Sequence, residues 1–132
     1  MFKHKLNYSF SFFRYESEID EIISYCGHII FNSFSQLDKY RDRVLKAGKK
    51  IGLRINPEFS TQEGHEIYDP CSPKSRLGIT RKNFREDDLQ GVTGLHFHTL
   101  CEQNSDDLEK TLDAIEEKFG KYLYDMQGIN KF

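Results

Sequence analysis

Two histidines separated by one residue are the side chains of this chain that most clearly suggest chemistry. His96 and His98 lie in the tract GVTGLHFHTLCEQ, residues 91–103. In a regular strand both histidines point to one face, while Leu95 and Phe97 point to the other. The tract therefore predicts a strand over 92–98 with an apolar face against helices and a histidine-bearing face toward a site.

The histidine pair permits two kinds of chemistry. One is metal binding, since two histidines on one face can share a metal ion. The third ligand would come from one of four side chains, which are His65, Glu66, Cys101 and Glu102. The other is an aromatic platform, in which a neutral imidazole held by a rigid strand stacks on a flat cofactor ring. Cys101 and Glu102 follow the strand at its carboxyl end, where α/β proteins bind ligands.

Arg54 is a second candidate, because it lies within the aliphatic strand KIGLRI, residues 50–55. Ile51, Leu53 and Ile55 share one face of that strand, which leaves Arg54 on the other. A buried arginine requires an anionic partner. Two partners stay open: an acidic residue of a neighbouring strand, or a bound cofactor whose electronic properties Arg54 would tune.

The elements that would position these residues alternate along the chain. We predict helices over 16–25, 34–47 and from 104 or 105 onward, a short helix over 82–89, and strands over 28–32, 50–55 and 92–98. Ser33 or Ser35 can cap the second helix. Alternating strands and helices predict parallel strands. Three strands fit either a small α/β sandwich or a section of a larger barrel. Residues 1–15 show no clear period and stay unassigned, and 16–132 are expected to form one domain.

The composition limits the classes of partner. The chain has 132 residues, with 19 Lys and Arg against 21 Asp and Glu. A net charge of −2 gives no electrostatic argument for nucleic acid. No apolar run is long enough for a membrane span, and no secretory signal is recognisable. Three irregularly spaced cysteines suit the reducing cytoplasm, and the lack of a CxxC pair argues against structural zinc.

Four segments, in order, resemble one enzyme family. These are HIIFNSFSQLDKY, GLRINPE, CSPKSRLGI and VTGLHFHTLCEQNSDDL. They resemble carboxynorspermidine decarboxylase, a pyridoxal 5'-phosphate enzyme of the alanine racemase and ornithine decarboxylase fold group, over residues 19–125. The resemblance implies a partial (β/α)8 TIM-type barrel, belonging to a homodimer with a C-terminal β-domain in the full-length family. It also implies cofactor-dependent removal of CO2 from carboxynorspermidine or carboxyspermidine, giving norspermidine or spermidine.

The resemblance also implies roles for single residues. His98 matches a histidine that stacks on the cofactor ring, and Arg54 matches a strand arginine near the cofactor. Cys101 falls near the cofactor phosphate and Glu102 next to the polyamine pocket, so these two are the candidate catalytic residues. Residues 75–79, SRLGI, resemble a loop packed close to the active site.

Two family features have no counterpart here: the barrel strand whose lysine forms a Schiff base with the cofactor, and the glycine-rich phosphate loop. We therefore expect the isolated chain to be inactive and to bind the cofactor weakly. The alternatives are a metal-dependent hydrolase that uses His96 and His98, and a non-catalytic remnant.

Overall fold

The computed structural model describes residues 9–10, 18–60, 69, 71–72, 75–99 and 104–125. The elements are β1 (Ser9–Phe10), α1 (Ile19–Tyr25), β2 (His28–Phe31), α2 (Phe34–Lys46), β3 (Lys50–Arg54), a 3-10 helix (Arg81–Asn83), β4 (Val92–His96) and α3 (Ser105–Asp125). The strands form one sheet in the order β1-β2-β3-β4, and all neighbours pair in parallel. The predicted α/β class is confirmed. The sheet is not closed within the described residues, and the short β1 lies in the segment that sequence left unassigned.

The ends of α2 follow from local chemistry. The Ser33 hydroxyl accepts a hydrogen bond from the Gln36 backbone N–H at 3.3 Å, which satisfies a donor that the helix leaves free. Beyond the helix, Gly48 has a φ of +72°, a left-handed conformation that suits glycine. The buried residues of α2 recur at helical spacing on one face, and they are Phe34, Leu37, Tyr40 and Val44.

One face of the sheet carries the core. Helix side chains pack there on alternate residues of the strands, and the fully buried members include Ile29, Phe31, Leu37, Leu53 and Phe119. Burying each such side chain contributes about 1.5–3 kcal/mol. Within the described residues, no helix is long and apolar enough to cross a membrane.

The connection between β3 and β4 is anchored to the helices by an aromatic cluster. The Phe84 ring lies 5.7 Å from Phe34, 5.3 Å from Phe119 and 4.9 Å from Tyr122, measured between ring centroids. The predicted helix over 82–89 is wrong, because only the single turn Arg81–Asn83 is helical. The backbone leaves that turn to bring Phe84 into the core, where it is 6% exposed.

Polar contacts hold the same connection on its outer side. The Arg81 guanidinium donates to the Tyr122 hydroxyl at 2.6 Å, and that hydroxyl donates to the Glu86 carboxylate. This hydrogen bond is the main reason that the pKa of Glu86 is lowered and the pKa of Tyr122 is raised. Arg41 pairs with Asp88 at 2.7 Å. These contacts fasten the connection to α2 and α3.

Candidate functional site

The pairing of β3 with β4 contains one irregularity that decides which side chains meet. Ile51 pairs with Val92, but the next pair is Gly52 with Gly94, so Thr93 is an extra residue in β4. The Thr93 hydroxyl donates to the Ile51 carbonyl at 3.3 Å. A bulge of this kind reverses the faces of the residues that follow it. Val92 therefore faces the helices, and Gly94 does not.

The bulge brings Arg54 and His96 together. Beyond it, Leu53 pairs with Leu95 and Arg54 pairs with His96. Leu95 and Phe97 pack on the helix-covered core, as predicted, which leaves His96 on the face that carries Arg54. Since the strands are parallel, both residues lie at the carboxyl end of the sheet, where α/β folds bind ligands.

The floor beside this pair is built from small residues. Gly52 and Gly94 are neighbours on β3 and β4, and Ile30 of β2 pairs with Gly52 on the other side. A Cβ atom added to Gly52 would lie 3.2 Å from Ile30 Cγ1 and 3.5 Å from the Gly94 carbonyl oxygen. Ile30 thus occupies the space over Gly52, and the two adjacent glycines are buried positions that carry no side chain beside Arg54 and His96.

The electrostatic environment of the pair is positive. The pKa of His96 is lowered, first by burial and then by the charges of Arg54 and His98. The pKa of Arg54 is also lowered by burial, with Cys71 acting in the opposite direction. Among the residues that the structure describes, no carboxylate forms a salt bridge with Arg54. The arrangement favours a neutral His96 and an anionic ligand for Arg54.

His98 lies beyond the strand. β4 ends at His96, two residues earlier than predicted, and His98 is exposed. It is the smallest of the three causes that lower the pKa of His96, after burial and Arg54. The other candidates, Cys101 and Glu102, lie outside the described residues, as do His65 and Glu66. Within the described part of the chain, no three metal-ligating side chains of His, Cys, Asp or Glu come together.

Asn32 is a site residue that sequence analysis missed. It follows β2 directly, and its side chain binds backbone groups far along the chain. Nδ2 donates to the Arg76 carbonyl at 2.8 Å, and Oδ1 accepts from the Gly78 N–H at 2.9 Å. After β2 ends, this side-chain amide thus makes the kind of hydrogen bonds that the backbone of a strand residue would make. These bonds hold the SRLGI segment against the sheet. An asparagine between a strand and a capped helix is the signal that could have indicated this role.

The held segment also pairs with the end of β3. The Ile79 N–H donates to the Arg54 carbonyl at 2.8 Å, and the Asn56 N–H donates to the Ile79 carbonyl at 2.9 Å. Gly78 has a φ of +84°, and an added Cβ would lie 2.8 Å from the Ile55 carbonyl carbon. Only glycine fits this close approach. These contacts hold the segment 75–79 beside the carboxyl end of β3.

A polar cleft opens beside the held segment. Its volume is about 380 Å³, and it lies between the start of α2 and residues 75–83. Ser33, Ser35, Ser75 and Arg76 are among its lining residues. The carboxyl edge of the sheet therefore offers hydroxyl groups and positive charge, and no acidic side chain lines this cleft among the described residues.

Several known proteins are similar to this chain in sequence and in fold. No protein-family model matches the chain. A carboxynorspermidine/carboxyspermidine decarboxylase of Campylobacter jejuni is 46% identical over 115 residues, or 87% of this chain. A carboxyaminopropylagmatine decarboxylase of Synechocystis is 40% identical over 113 residues. The crystal structure of carboxynorspermidine decarboxylase from Campylobacter jejuni, solved in complex with norspermidine, superposes with a TM-score of 0.72 and 43% identity over 87% of this chain.

This chain is a homologue of one section of carboxynorspermidine decarboxylase. It spans 29% of the length of the two relatives named first and 28% of the crystallised chain. The decarboxylase resemblance found in the sequence motifs is confirmed by these matches. The reading as a metal-dependent hydrolase finds no support in them.

Proposed function

We propose that this chain forms part of a pyridoxal 5'-phosphate-dependent decarboxylase of polyamine synthesis. The substrate would be carboxynorspermidine or carboxyspermidine, and the products would be CO2 and norspermidine or spermidine. The observation that carries the proposal is the pairing of Arg54 with His96 at the carboxyl edge of a sheet, in a chain 46% identical to such a decarboxylase over 87% of its length.

The residues present fit the proposed cofactor. Arg54 is a partly buried cation that has no carboxylate partner among the described residues, and burial of an unpaired cation is unfavourable. An anionic cofactor would supply such a partner. Pyridoxal phosphate supplies a conjugated ring that takes up the electrons left when CO2 departs.

Each residue then has a distinct task. Arg54 would bind and orient the cofactor, and the His98 ring would stack on it. His96 stays neutral beside Arg54 and so adds no second positive charge to the floor of the site. Asn32 holds one wall in place through the backbone of Arg76 and Gly78.

Several further assignments belong to the same proposal and rest on resemblance. Cys101 would lie near the cofactor phosphate and Glu102 next to the polyamine pocket. Residues 16–132 would form a section of a (β/α)8 barrel, and the complete enzyme would be a homodimer. A cytoplasmic location fits the free thiols of Cys26 and Cys71.

A chimera tests the proposal directly. Residues 18–125 of this chain would replace the homologous section of the Campylobacter jejuni decarboxylase, and norspermidine formation from carboxynorspermidine would be measured. We expect the chimera to retain activity, because the two sections are 46% identical over 87% of this chain. A folded, cofactor-loaded chimera without activity would contradict the proposal.

Point variants of the chimera locate the function within the section. Replacing His98 by Ala should lower kcat/KM at least about tenfold, which corresponds to about 1.4 kcal/mol. His28→Ala is the matched control, because His28 begins β2 at the opposite, amino end of the sheet. Equal losses in both variants would show that His98 has no special role. Arg54→Lys is compared in the same way with Arg43→Lys, whose guanidinium lies on α2 and contacts Asp20 at 3.6 Å.

A further inference from the structure

Residues 78–79 take the place beside β3 that β2 leaves free. The pairing of β2 with β3 ends at Phe31 and Leu53, because the chain turns into α2 soon after. Ile55 then pairs in parallel with Ile79, which belongs to a segment far along the chain. This segment continues the ladder of hydrogen bonds on the β2 side of β3, at the end of the strand that carries Arg54.

The peptide unit that joins Arg54 to Ile55 is held from both sides. Its carbonyl group, which belongs to Arg54, accepts the Ile79 N–H at 2.8 Å. Its N–H group, which belongs to Ile55, donates to the His96 carbonyl at 2.7 Å. A planar peptide held at both of its polar groups fixes the backbone of the residue before it. The direction in which the Arg54 side chain leaves the sheet therefore depends on Ile79 as well as on β4.

Asn32 anchors the Ile79 segment to the end of β2. Its Oδ1 accepts the Gly78 N–H at 2.9 Å, one residue before Ile79, and its Nδ2 donates to the Arg76 carbonyl at 2.8 Å. The backbone N–H of Asn32 donates to Gln36 Oε1 at 2.8 Å, which ties this residue to the first turn of α2. A carboxamide carries both the acceptor and the donor that these two side-chain bonds require.

We infer that Asn32 is a positioning residue for the candidate site, whose side-chain amide places Ile79 and, through it, the Arg54 guanidinium for a bound anion. The inference rests on the proposed function only for the identity of that anion, the pyridoxal phosphate cofactor. Asn32 acts through the backbone of Gly78 and Ile79. A cation that is already held in its binding position loses less conformational freedom when the anion binds, so the anion binds more tightly.

The first test uses the His96 ring to report the position of Arg54, by NMR titration of the full 132-residue chain. Burial, then the Arg54 charge, then the His98 charge lower the pKa of His96. Asn32→Leu removes both side-chain bonds and should raise this pKa, because the guanidinium is no longer held beside the ring. Val44→Ala is the matched control for lost stability, since Val44 is fully buried near the other end of α2. It should leave the pKa of His96 unchanged.

A double-mutant cycle distinguishes positioning from general support of the fold. If Asn32 acts through Arg54, Asn32→Leu should change the pKa of His96 much less in an Arg54→Met background than in wild type. The fall in urea midpoint caused by Asn32→Leu should be similar in both backgrounds. Should the leucine variant not fold, Asn32→Ala replaces it, because a smaller side chain lets water reach the freed Gly78 N–H. No change in the pKa, or an equal change with and without Arg54, would overturn the inference.

The second test measures pyridoxal phosphate affinity in the chimera with the Campylobacter jejuni decarboxylase. Asn32→Leu should weaken cofactor binding about tenfold and leave kcat at saturating cofactor within about twofold, because Asn32 positions a binding residue. Asn32→Gln keeps both amide groups and should recover part of the affinity. Unchanged cofactor affinity in a chimera that binds the cofactor would overturn the inference.

The outcomes keep the two proposals apart. If the chimera is inactive but the titration of His96 depends on Asn32 only while Arg54 is present, the proposed decarboxylation fails and the positioning role stands. If the chimera is active but Asn32→Leu changes neither the pKa of His96 nor the cofactor affinity, the positioning role fails and the proposed function stands.

Discussion

The two faces of this sheet are built from the same strands and have opposite properties. On the helix-covered face, Ile29, Phe31, Ile51 and Leu53 are each at most 1% exposed. On the other face, β3 carries a glycine and a cation that has no carboxylate partner among the described residues, and β4 adds Gly94 and His96. The first face carries the core, and the second carries the residues of the candidate site. The difference teaches that substitutions on neighbouring residues of one strand should have unrelated effects.

The largest loss of stability is expected at Phe119, which packs on the helix-covered face of the sheet. Its ring is fully buried and lies 5.3 Å from that of Phe84. Phe119→Ala should lower the free energy of unfolding by about 3–5 kcal/mol, because it removes apolar contacts and leaves a cavity. Urea denaturation followed by circular dichroism measures this loss. Leu112→Ala, on the same helix but 46% exposed, is the control and should change stability by less than about 0.5 kcal/mol.

The next effect is expected at Gly78, where the SRLGI segment meets the end of β3. Gly78→Ala should cost at least about 2 kcal/mol, because a left-handed backbone is unfavourable for alanine and the new Cβ overlaps the Ile55 backbone. Gly48→Ala is the matched control, since Gly48 has a similar φ of +72° and nothing within 4 Å of an added Cβ. We expect about 1 kcal/mol there. Equal losses at the two glycines would mean that the close approach is unimportant.

A smaller change in stability, of opposite sign, is expected at Arg54, on the face of the sheet that carries the candidate site. Arg54→Met removes a partly buried cation that has no described carboxylate partner, so thermal stability should be unchanged or raised by up to about 1 kcal/mol. Arg41→Met removes a paired guanidinium, which contacts Asp88 at 2.7 Å, and should cost about 1–3 kcal/mol. The comparison of the two faces would be broken if Arg54→Met proved as destabilising as Arg41→Met.

The smallest expected effect is a pH dependence of folding stability that comes from His96. Burial and the nearby positive charges lower the pKa of His96 in the folded chain, so the unfolded chain binds more protons as the pH falls. Protonation therefore favours unfolding, and the contribution of His96 to stability declines below about pH 6.5. His96→Gln should lose less stability than wild type between pH 7.5 and 5.5. Identical slopes of melting temperature against pH would contradict the lowered pKa.

Local patterns predicted much of this architecture. A serine cap of α2, at Ser33 or Ser35, and a buried face on that helix follow from residue types and a helical period, which need no distant contacts; the structure selects Ser33. The shared face of Leu95 and Phe97 follows from strand alternation. The order of strands and helices then predicted a parallel sheet, and the family motifs predicted the region that the decarboxylase relatives share.

The remaining features depend on contacts between distant residues. Strand alternation across 92–96 would place Val92 and Gly94 on one face, and the extra residue at Thr93 separates them through pairing with β3. Asn32 binds backbone groups 44 and 46 residues away, and no periodic pattern in the sequence indicates such a hydrogen bond. β1 has two residues, Ser9 and Phe10, which are too few for an alternating pattern.

The extra residue at Thr93 lets β4 carry one more residue than β3 without changing which side chains meet beyond it. Deleting Thr93 would make the pairing regular, so that Leu95 would stay opposite Leu53 and His96 would stay opposite Arg54. Relatives that differ by one residue here should therefore keep the same pairs of side chains. Alignment gaps in this strand should be placed at Thr93, where the sheet pairing leaves one residue without a partner.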